Sequence, residues 1–201
     1  MYFSNCFIFI IIIDSLNNIK YHNMKEINVL DKKFKISISS NDIQKAITAM
    51  AEKINTDYKD DIPLFVAVLN GSFMFASDLL KKIQFDCNIT FIKLSSYQGT
   101  QSSQHVQTLI GLNESIKGKR IILLEDIIDT GITLHNLLEQ IKVYEPADIR
   151  IATLLFKPKA FIKDFKIDYV GMEIPNDFIV GFGLDYNGFA RNYPDIYKIS
   201  E

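Results

Sequence analysis

Two adjacent carboxylates, Glu125-Asp126, and a third, Asp129, precede the short run Thr130-Gly131-Ile132-Thr133. Carboxylate oxygens accept from sugar hydroxyls and suit a hydrated hard cation such as Mg²⁺. The hydroxyls of Thr130 and Thr133 donate to an anion. If this run opens a helix, unpaired backbone N–H groups and the positive end of the helix dipole face whatever sits above it. Gly131 lets the backbone approach that ligand closely. Such a cup fits a phosphomonoester, and Asp129, one turn beyond the acid pair, is placed for proton transfer. The combination points to an anionic sugar phosphate held with a metal. Each half has a plainer reading: acids at a strand end are often a solvated edge, and Asp-Thr-Gly is a common turn. The run is not a Walker loop, lacking Gly-Lys-Ser/Thr, and not a dinucleotide fingerprint, lacking three spaced glycines.

The elements around these residues follow from periodicity. Ile121-Ile122-Leu123-Leu124 reads as a buried strand that runs into the acids, and Leu134, Leu137, Leu138 and Ile141 recur at helical spacing after the turn. If the strand continues through them, Glu125 and Asp126 point to opposite faces. Residues 33–39 alternate as a strand. Ser40 or Asn41 can cap a helix carrying Ile43, Ala46, Ile47, Met50, Ala51 and Ile54. Leu64–Leu69 is a buried strand, followed by a helix bearing Phe73, Ala76, Leu79, Leu80 and Ile83. Further strands cover 88–94, 149–156 and 168–172, and the polar stretch 98–108 reads as an exposed loop. Strands alternating with amphipathic helices predict an α/β fold with a mainly parallel twisted sheet. Ligands in such sheets sit beyond the carboxyl ends of strands. Three candidate loops obey that rule: 70–72, 125–133 and 157–158.

Other residues carry weaker signals. Asn70-Gly71-Ser72 follows a strand and opens a helix, so it is either a second anion loop or a plain turn with Ser72 as cap. Lys157-Pro158 ends a strand, where a lysine is usually solvated. Phe178 is a stacking surface or a core aromatic, and Arg191 is an anion contact or a surface residue. Gly181-Phe182-Gly183 is no dinucleotide loop, since no third glycine and no helical period follow.

Taken together, these stretches resemble the type I phosphoribosyltransferases, the hypoxanthine(-guanine) enzymes in particular, over roughly residues 34–201. Glu125-Asp126-Ile127-Ile128-Asp129-Thr130-Gly131 resembles their phosphoribosyl-pyrophosphate (PRPP) motif, Leu69-Asn70-Gly71-Ser72 their pyrophosphate loop, and Ser95-Ser96-Tyr97-Gln98-Gly99 their mobile loop. Phe156-Lys157-Pro158, Asp168–Gly171 and Ile174-Pro175 resemble the purine-side segments, and Phe178–Tyr186 with Arg191 the closing hood. The resemblance implies the type I phosphoribosyltransferase fold, with a hood formed by about 157–201 and an N-terminal contribution. It implies transfer of phosphoribose from PRPP to N9 of hypoxanthine, and of guanine, with Mg²⁺. Residues 129–133 (Asp129, Thr130, Gly131, Ile132, Thr133) would hold the 5-phosphate, Glu125 and Asp126 the ribose hydroxyls, and Asn70, Gly71 and Arg191 the pyrophosphate. Asp129 would be the general base. Lys157 would donate to the purine 6-oxo group, Phe178 would stack, and the backbone of Ile179 and Asp185 would read the base edge. Glu125, Asp126 and Asp185 would be the metal ligands, and Ser96 and Tyr97 the tip of a lid spanning 95–107. A cis peptide is implied between Leu69 and Asn70. Many relatives carry Lys where this chain has Asn70, which removes a cation from the pyrophosphate side. Thr100–Gln104 departs from the Ser-Thr-Gly pattern common in relatives. The rival readings are a related enzyme for another base, such as xanthine or orotate, and a PRPP-binding regulator without catalysis.

Composition narrows the alternatives. The chain has 201 residues and a net charge of −2 from 22 basic and 24 acidic side chains, which argues against a nucleic-acid partner. Cys6 and Cys87 have no metal-ligand spacing and build no disulfide framework, in keeping with a cytoplasmic protein. His22, His105 and His135 form no cluster. Cys6–Ile13 is a run of eight apolar residues, too short to span a membrane and without the features of a signal peptide. Residues 1–23 read as an upstream extension, a misassigned start before Met24, with a membrane-associating leader as the rival. Residues 24–201 read as one domain, and relatives are dimers or tetramers, so a homo-oligomer and no stable membrane association are expected.

Overall fold

A computed structural model describes residues 25–59, 61–96, 106–111 and 115–200. The N-terminal run 1–23 and Tyr97, expected at the tip of a lid, lie outside the described residues. The main sheet has six strands: β3 (Leu64–Leu69), β4 (Asn88–Ser96), β5 (Val106–Ile110), β6 (Arg120–Ile128), β7 (Asp148–Phe156) and β8 (Tyr169–Glu173). Their order is β5-β4-β3-β6-β7-β8, with only β5 antiparallel. β3 and β6 are fully apolar over Leu64–Val68 and Ile121–Leu124 because both faces of the sheet are covered. Helices α1 (Ser40–Asp57) and α2 (Phe73–Leu80) cover one face, where Ile43, Ile47, Phe75 and Leu79 meet Phe65, Ala67, Ile122 and Leu124. Helix α3 (Ile132–Lys142) covers the other, setting Leu134, Leu137 and Ile141 on Leu64, Val66, Ile121 and Leu123. The parity of each strand decides which core a residue joins.

A second, antiparallel sheet joins the two ends of the chain: β1 (Glu26–Val29), β2 (Lys32–Ile38), β10 (Ile196–Ile199) and β9 (Ile179–Val180), in that order. Phe34, Val180 and Tyr197 fill its core. This sheet takes in part of the C-terminal segment expected as a hood, together with the N-terminal contribution. Asp195 fastens it to the main domain by accepting from the Ser40 amide at 2.6 Å.

Local differences from the pattern expected of the sequence have physical causes. The α1 cap is Ser39, not Ser40 or Asn41; its extended backbone turns its hydroxyl to the Asp42 amide at 3.2 Å. Residues 106–108, expected as loop, belong to β5 and pair with β4, since ladder hydrogen bonds are backbone-made and polar side chains do not forbid them. Ile83 lies beyond the end of α2, though it still packs on the core. Strands β1, β9 and β10 are short and carry little periodic signal.

Candidate active site

The three candidate loops leave three adjacent parallel strands, β3, β6 and β7. That adjacency gathers residues distant in sequence at one end of the sheet. Gly131 sits in the left-handed region at φ +80° and caps α3, whose first helical bond runs from the His135 amide to the Gly131 carbonyl at 2.9 Å. The amides that follow point out of the helix start, beside the exposed side chains of Thr130, Ile132 and Thr133. Thr130 Oγ1 accepts from the Ile132 amide at 3.4 Å.

β6 and β7 are in parallel register, Ile128 beside Phe156, so the next residues on each strand, Asp129 and Lys157, are neighbours. Lys157 Nζ donates to Asp129 Oδ2 at 2.9 Å. Lys157 is 7 % exposed, so the ammonium reaches the site through the protein and not through solvent. A buried ammonium needs such a partner. The site therefore presents a donor beside an acceptor at one edge.

β6 does continue through the acids to Ile128. Asp126 lies directly under Gly71: a Cβ on Gly71 would fall 1.7 Å from Asp126 Oδ2. Burial raises the Asp126 carboxyl to about 6, against the lowering pull of the amides and of Arg191; Asp185 adds to the rise. Burial also pushes Glu125 well above the ordinary range, and the charge of Asp126 adds to it. Glu125 Oε2 is buried with no hydrogen-bond partner in the protein. Buried this way, Glu125 without a donor at Oε2 and Asp126 with only backbone amides and the pull of the Arg191 guanidinium, the two carboxyls are short of the counter-charge and donors that a hydroxyl-rich sugar and a divalent cation could supply.

Asp185 is engaged elsewhere. It accepts from the Gly188 amide at 2.6 Å and pairs with Arg191 Nη2 at 2.6 Å, while Arg191 Nη1 donates to the Gly183 carbonyl at 2.7 Å. Among the described residues no three His, Cys, Asp or Glu side chains converge as a metal cage. Glu125, Asp126 and Asp185 thus stand near one another without forming one. An open arrangement of this kind is compatible with Mg²⁺, which keeps waters and substrate oxygens and needs no closed all-protein cage.

The Leu69–Asn70 peptide is cis. Ser72, fully buried, donates through Oγ to the Val68 carbonyl at 2.6 Å, so it braces the loop and does not reach a ligand. Asn70 is exposed. The chain at Gly183 packs closely on this loop: at φ +97°, a Cβ there would meet the Gly71 carbonyl at 2.1 Å. Gly181, Phe182 and Gly183 all have positive φ and form a tight turn, closed by the Gly181 amide on the Leu184 carbonyl at 3.0 Å.

Phe178 is 46 % exposed and so is not a core residue. It lies 6.2 Å from Phe34 and 5.9 Å, edge-on, from Tyr186. Tyr186 is steadied by Asp31 at 2.9 Å and by Lys32 over its ring. The N-terminal hairpin therefore supports the aromatic platform, which periodicity alone did not reveal. Ile179 is buried in β9, with its backbone in register with Lys198. Ser96 ends β4, which pairs with β5.

The phosphoribosyl transferase domain family matches residues 39–187. A hypoxanthine-guanine phosphoribosyltransferase of Bacillus subtilis is 40 % identical over 163 residues, covering 81 % of this chain and 91 % of the relative. One from Streptococcus pyogenes is 42 % identical over 168 residues, covering 83 % and 93 %. Among solved structures, a hypoxanthine-guanine phosphoribosyltransferase of Bacillus anthracis superposes with a TM-score of 0.78 at 38 % identity, covering 83 % of this chain and 98 % of the other. A hypoxanthine phosphoribosyl transferase of Trypanosoma cruzi gives 0.78 at 32 % identity, covering 87 % and 95 %. With its three loops on adjacent strands and its matched length, the chain belongs to the phosphoribosyl transferase family, among the hypoxanthine-guanine phosphoribosyltransferases.

Proposed function

We propose that this enzyme transfers the 5-phosphoribosyl group of PRPP to N9 of hypoxanthine and of guanine, forming IMP or GMP and pyrophosphate in purine salvage. The observation that carries the base assignment is the pair Lys157–Asp129 at 2.9 Å. A donor beside an acceptor complements an acceptor beside a donor: the 6-oxo oxygen beside N7–H of a 6-oxopurine. Adenine offers a donor at position 6 and leaves Lys157 without an acceptor. N9 attacks C1 of the ribose, the bond from C1 to the pyrophosphate oxygen breaks, and the N7 proton passes to Asp129. Charge developing on the ribose is stabilised by the carboxylates of Glu125 and Asp126. Residues 129–133 take the 5-phosphate. Asn70, Gly71 and Arg191 take the pyrophosphate. Phe178 stacks on the base, and the backbone of Ile179 and Asp185 reads its edge. Ser96 and Tyr97 close over the substrates. Glu125, Asp126 and Asp185 would hold Mg²⁺, which neutralises charge on the leaving pyrophosphate.

Residues 24–201 act as one domain in a cytoplasmic homo-oligomer, a dimer or tetramer, with no nucleic-acid partner; among the described residues no helix is long and apolar enough to cross a membrane. A steady-state assay of hypoxanthine, guanine, xanthine and adenine with PRPP and Mg²⁺ tests the function. Turnover with hypoxanthine and guanine and none with adenine is expected. Preference for xanthine would reassign the base, and PRPP binding without turnover on any base would make the chain a regulator.

A further inference from the structure

The phosphate cup built from residues 129–133 contains no cation of its own. Its backbone amides and threonine hydroxyls are neutral, and the one lysine at the loop, Lys157, is occupied by Asp129. A phosphate ester near neutral pH carries close to two negative charges. The chain supplies a cation from elsewhere. Beyond Lys157 the backbone turns sharply, with the Ala160 and Phe161 amides donating to the Lys157 carbonyl at 3.1 and 3.2 Å. It then runs back along the cup, where the Ile162 amide donates to the Thr130 carbonyl at 3.2 Å. This stretch forms a wall. A Cβ on Gly131 would meet Phe161 at 2.6 Å and Lys163 Cγ at 3.3 Å. The stem of Lys163 is therefore packed against the residue that caps α3, and the three bonds beyond Cγ give its ammonium the reach to enter the cup. Lys163 is half-buried, and among the described residues it has no ion pair or hydrogen bond.

We infer that Lys163 is a further substrate-binding residue: from outside the PRPP motif, its ammonium binds the 5-phosphate of PRPP and of the nucleotide product. This rests on the phosphoribosyl-transfer reading of residues 129–133. The segment that starts with the base-reading Lys157 thus ends at the phosphate, so one loop spans both ends of the nucleotide. The geometry also explains why Gly131 and Lys163 belong together. A side chain at 131 would displace both Phe161 and the lysine stem.

Lys163→Met keeps the packed stem and removes the charge, and Lys163→Arg keeps the charge. Titration calorimetry with IMP and with inorganic pyrophosphate, beside KM for PRPP and for hypoxanthine, tests the inference. In Lys163→Met, binding of IMP should weaken and KM for PRPP rise by roughly tenfold, the loss expected for one charge-assisted contact. Pyrophosphate binding and KM for hypoxanthine should stay within about twofold of the parent, since the assigned contact is to the 5-phosphate alone and an exposed charge without direct contact contributes little. Lys163→Arg should restore IMP binding. Unchanged IMP binding in a folded Lys163→Met protein would overturn the inference while leaving the function intact. Equal weakening of IMP and pyrophosphate would also overturn it, by reducing Lys163 to a general field effect. Absence of both PRPP turnover and IMP binding in the parent enzyme would remove the functional reading, and this inference with it.

Discussion

Replacing Asp126 by Asn should make the substrate-free enzyme more stable while abolishing its activity. The Asp126 carboxyl is raised from 3.8 to about 6, burial being the largest cause. A carboxyl with a raised native pKa binds more protons folded than unfolded, so stability is greatest at low pH and is lost as pH rises from near 4 through about 6. At about 1.36 kcal/mol for each pH unit, the shift corresponds to roughly 3 kcal/mol at pH 7 and above. Asn keeps an oxygen for the Ile127 amide, which Asp126 Oδ1 accepts at 2.9 Å, so that bond is not sacrificed. Urea unfolding of the metal- and substrate-free protein at pH 4, 5, 6 and 7.5 provides the measurement. The parent should lose stability across this range, and Asp126→Asn should flatten the curve and exceed the parent at pH 7.5 by up to roughly 3 kcal/mol. Glu125 is shifted in the same direction, so part of the slope should persist until Glu125→Gln is added. An Asp126→Asn protein no more stable than its parent at pH 7.5 would refute the claim that this acid is held charged at a cost. PRPP with Mg²⁺ should stabilise the parent more than the variant, because the variant lacks one of the two buried carboxylates in want of counter-charge.

Three other outcomes follow from the site. Asp129→Asn should lower turnover by about a hundredfold to ten-thousandfold, and near-normal turnover in a rapid-quench assay would remove Asp129 as the base. Gly183→Ala places a methyl group against the Gly71 carbonyl at a positive φ, so it should cost roughly 1–3 kcal/mol in urea unfolding and raise KM for PRPP; an unaffected KM would show that the hood turn tolerates displacement. Asn70→Lys should lower KM for PRPP several-fold at low salt, an advantage of about 1 kcal/mol that shrinks as salt is added, and an equal KM at all salt concentrations would show the exposed position too far from the pyrophosphate to matter.

The parts of the molecule legible in the sequence are those in which one short run carries both pattern and chemistry. The four apolar residues before Glu125 announce a strand buried on both faces, and the helical leucines after Thr133 announce what covers it. Asp129 and Lys157 could be named separately, and parallel strands make their meeting intelligible, because residues just past the ends of neighbouring strands are neighbours. What stayed hidden depends on long-range packing. Nothing local in Asp31 or Lys32 says that a hairpin near the start of the chain steadies a tyrosine more than 150 residues later. The approach of Gly183 to Gly71 leaves only two glycines as its trace, and a glycine serves an ordinary turn just as well. Asp185 entered as a metal ligand only through the family resemblance; its partnership with Arg191 depends on a turn whose three positive φ angles no periodicity displays.

The stack of Gly183 on Gly71 on Asp126 has a consequence for how this enzyme can change. Gly183 rests main chain on main chain against Gly71, and the Asp126 carboxylate fills the space on Gly71 where a side chain would stand, so the thickness of the proposed leaving-group end is set by close atomic contact. Mutation can widen or crowd that gap but cannot retune it by degrees. Divergence in leaving-group handling therefore has to come from the rim, at positions such as 70 and 191, while the base end, lined by side chains, stays open to gradual adjustment. One end of the active site is cast and the other is adjustable. Descendants of this scaffold would accordingly be expected to differ in the base they accept far sooner than in the pyrophosphate they release.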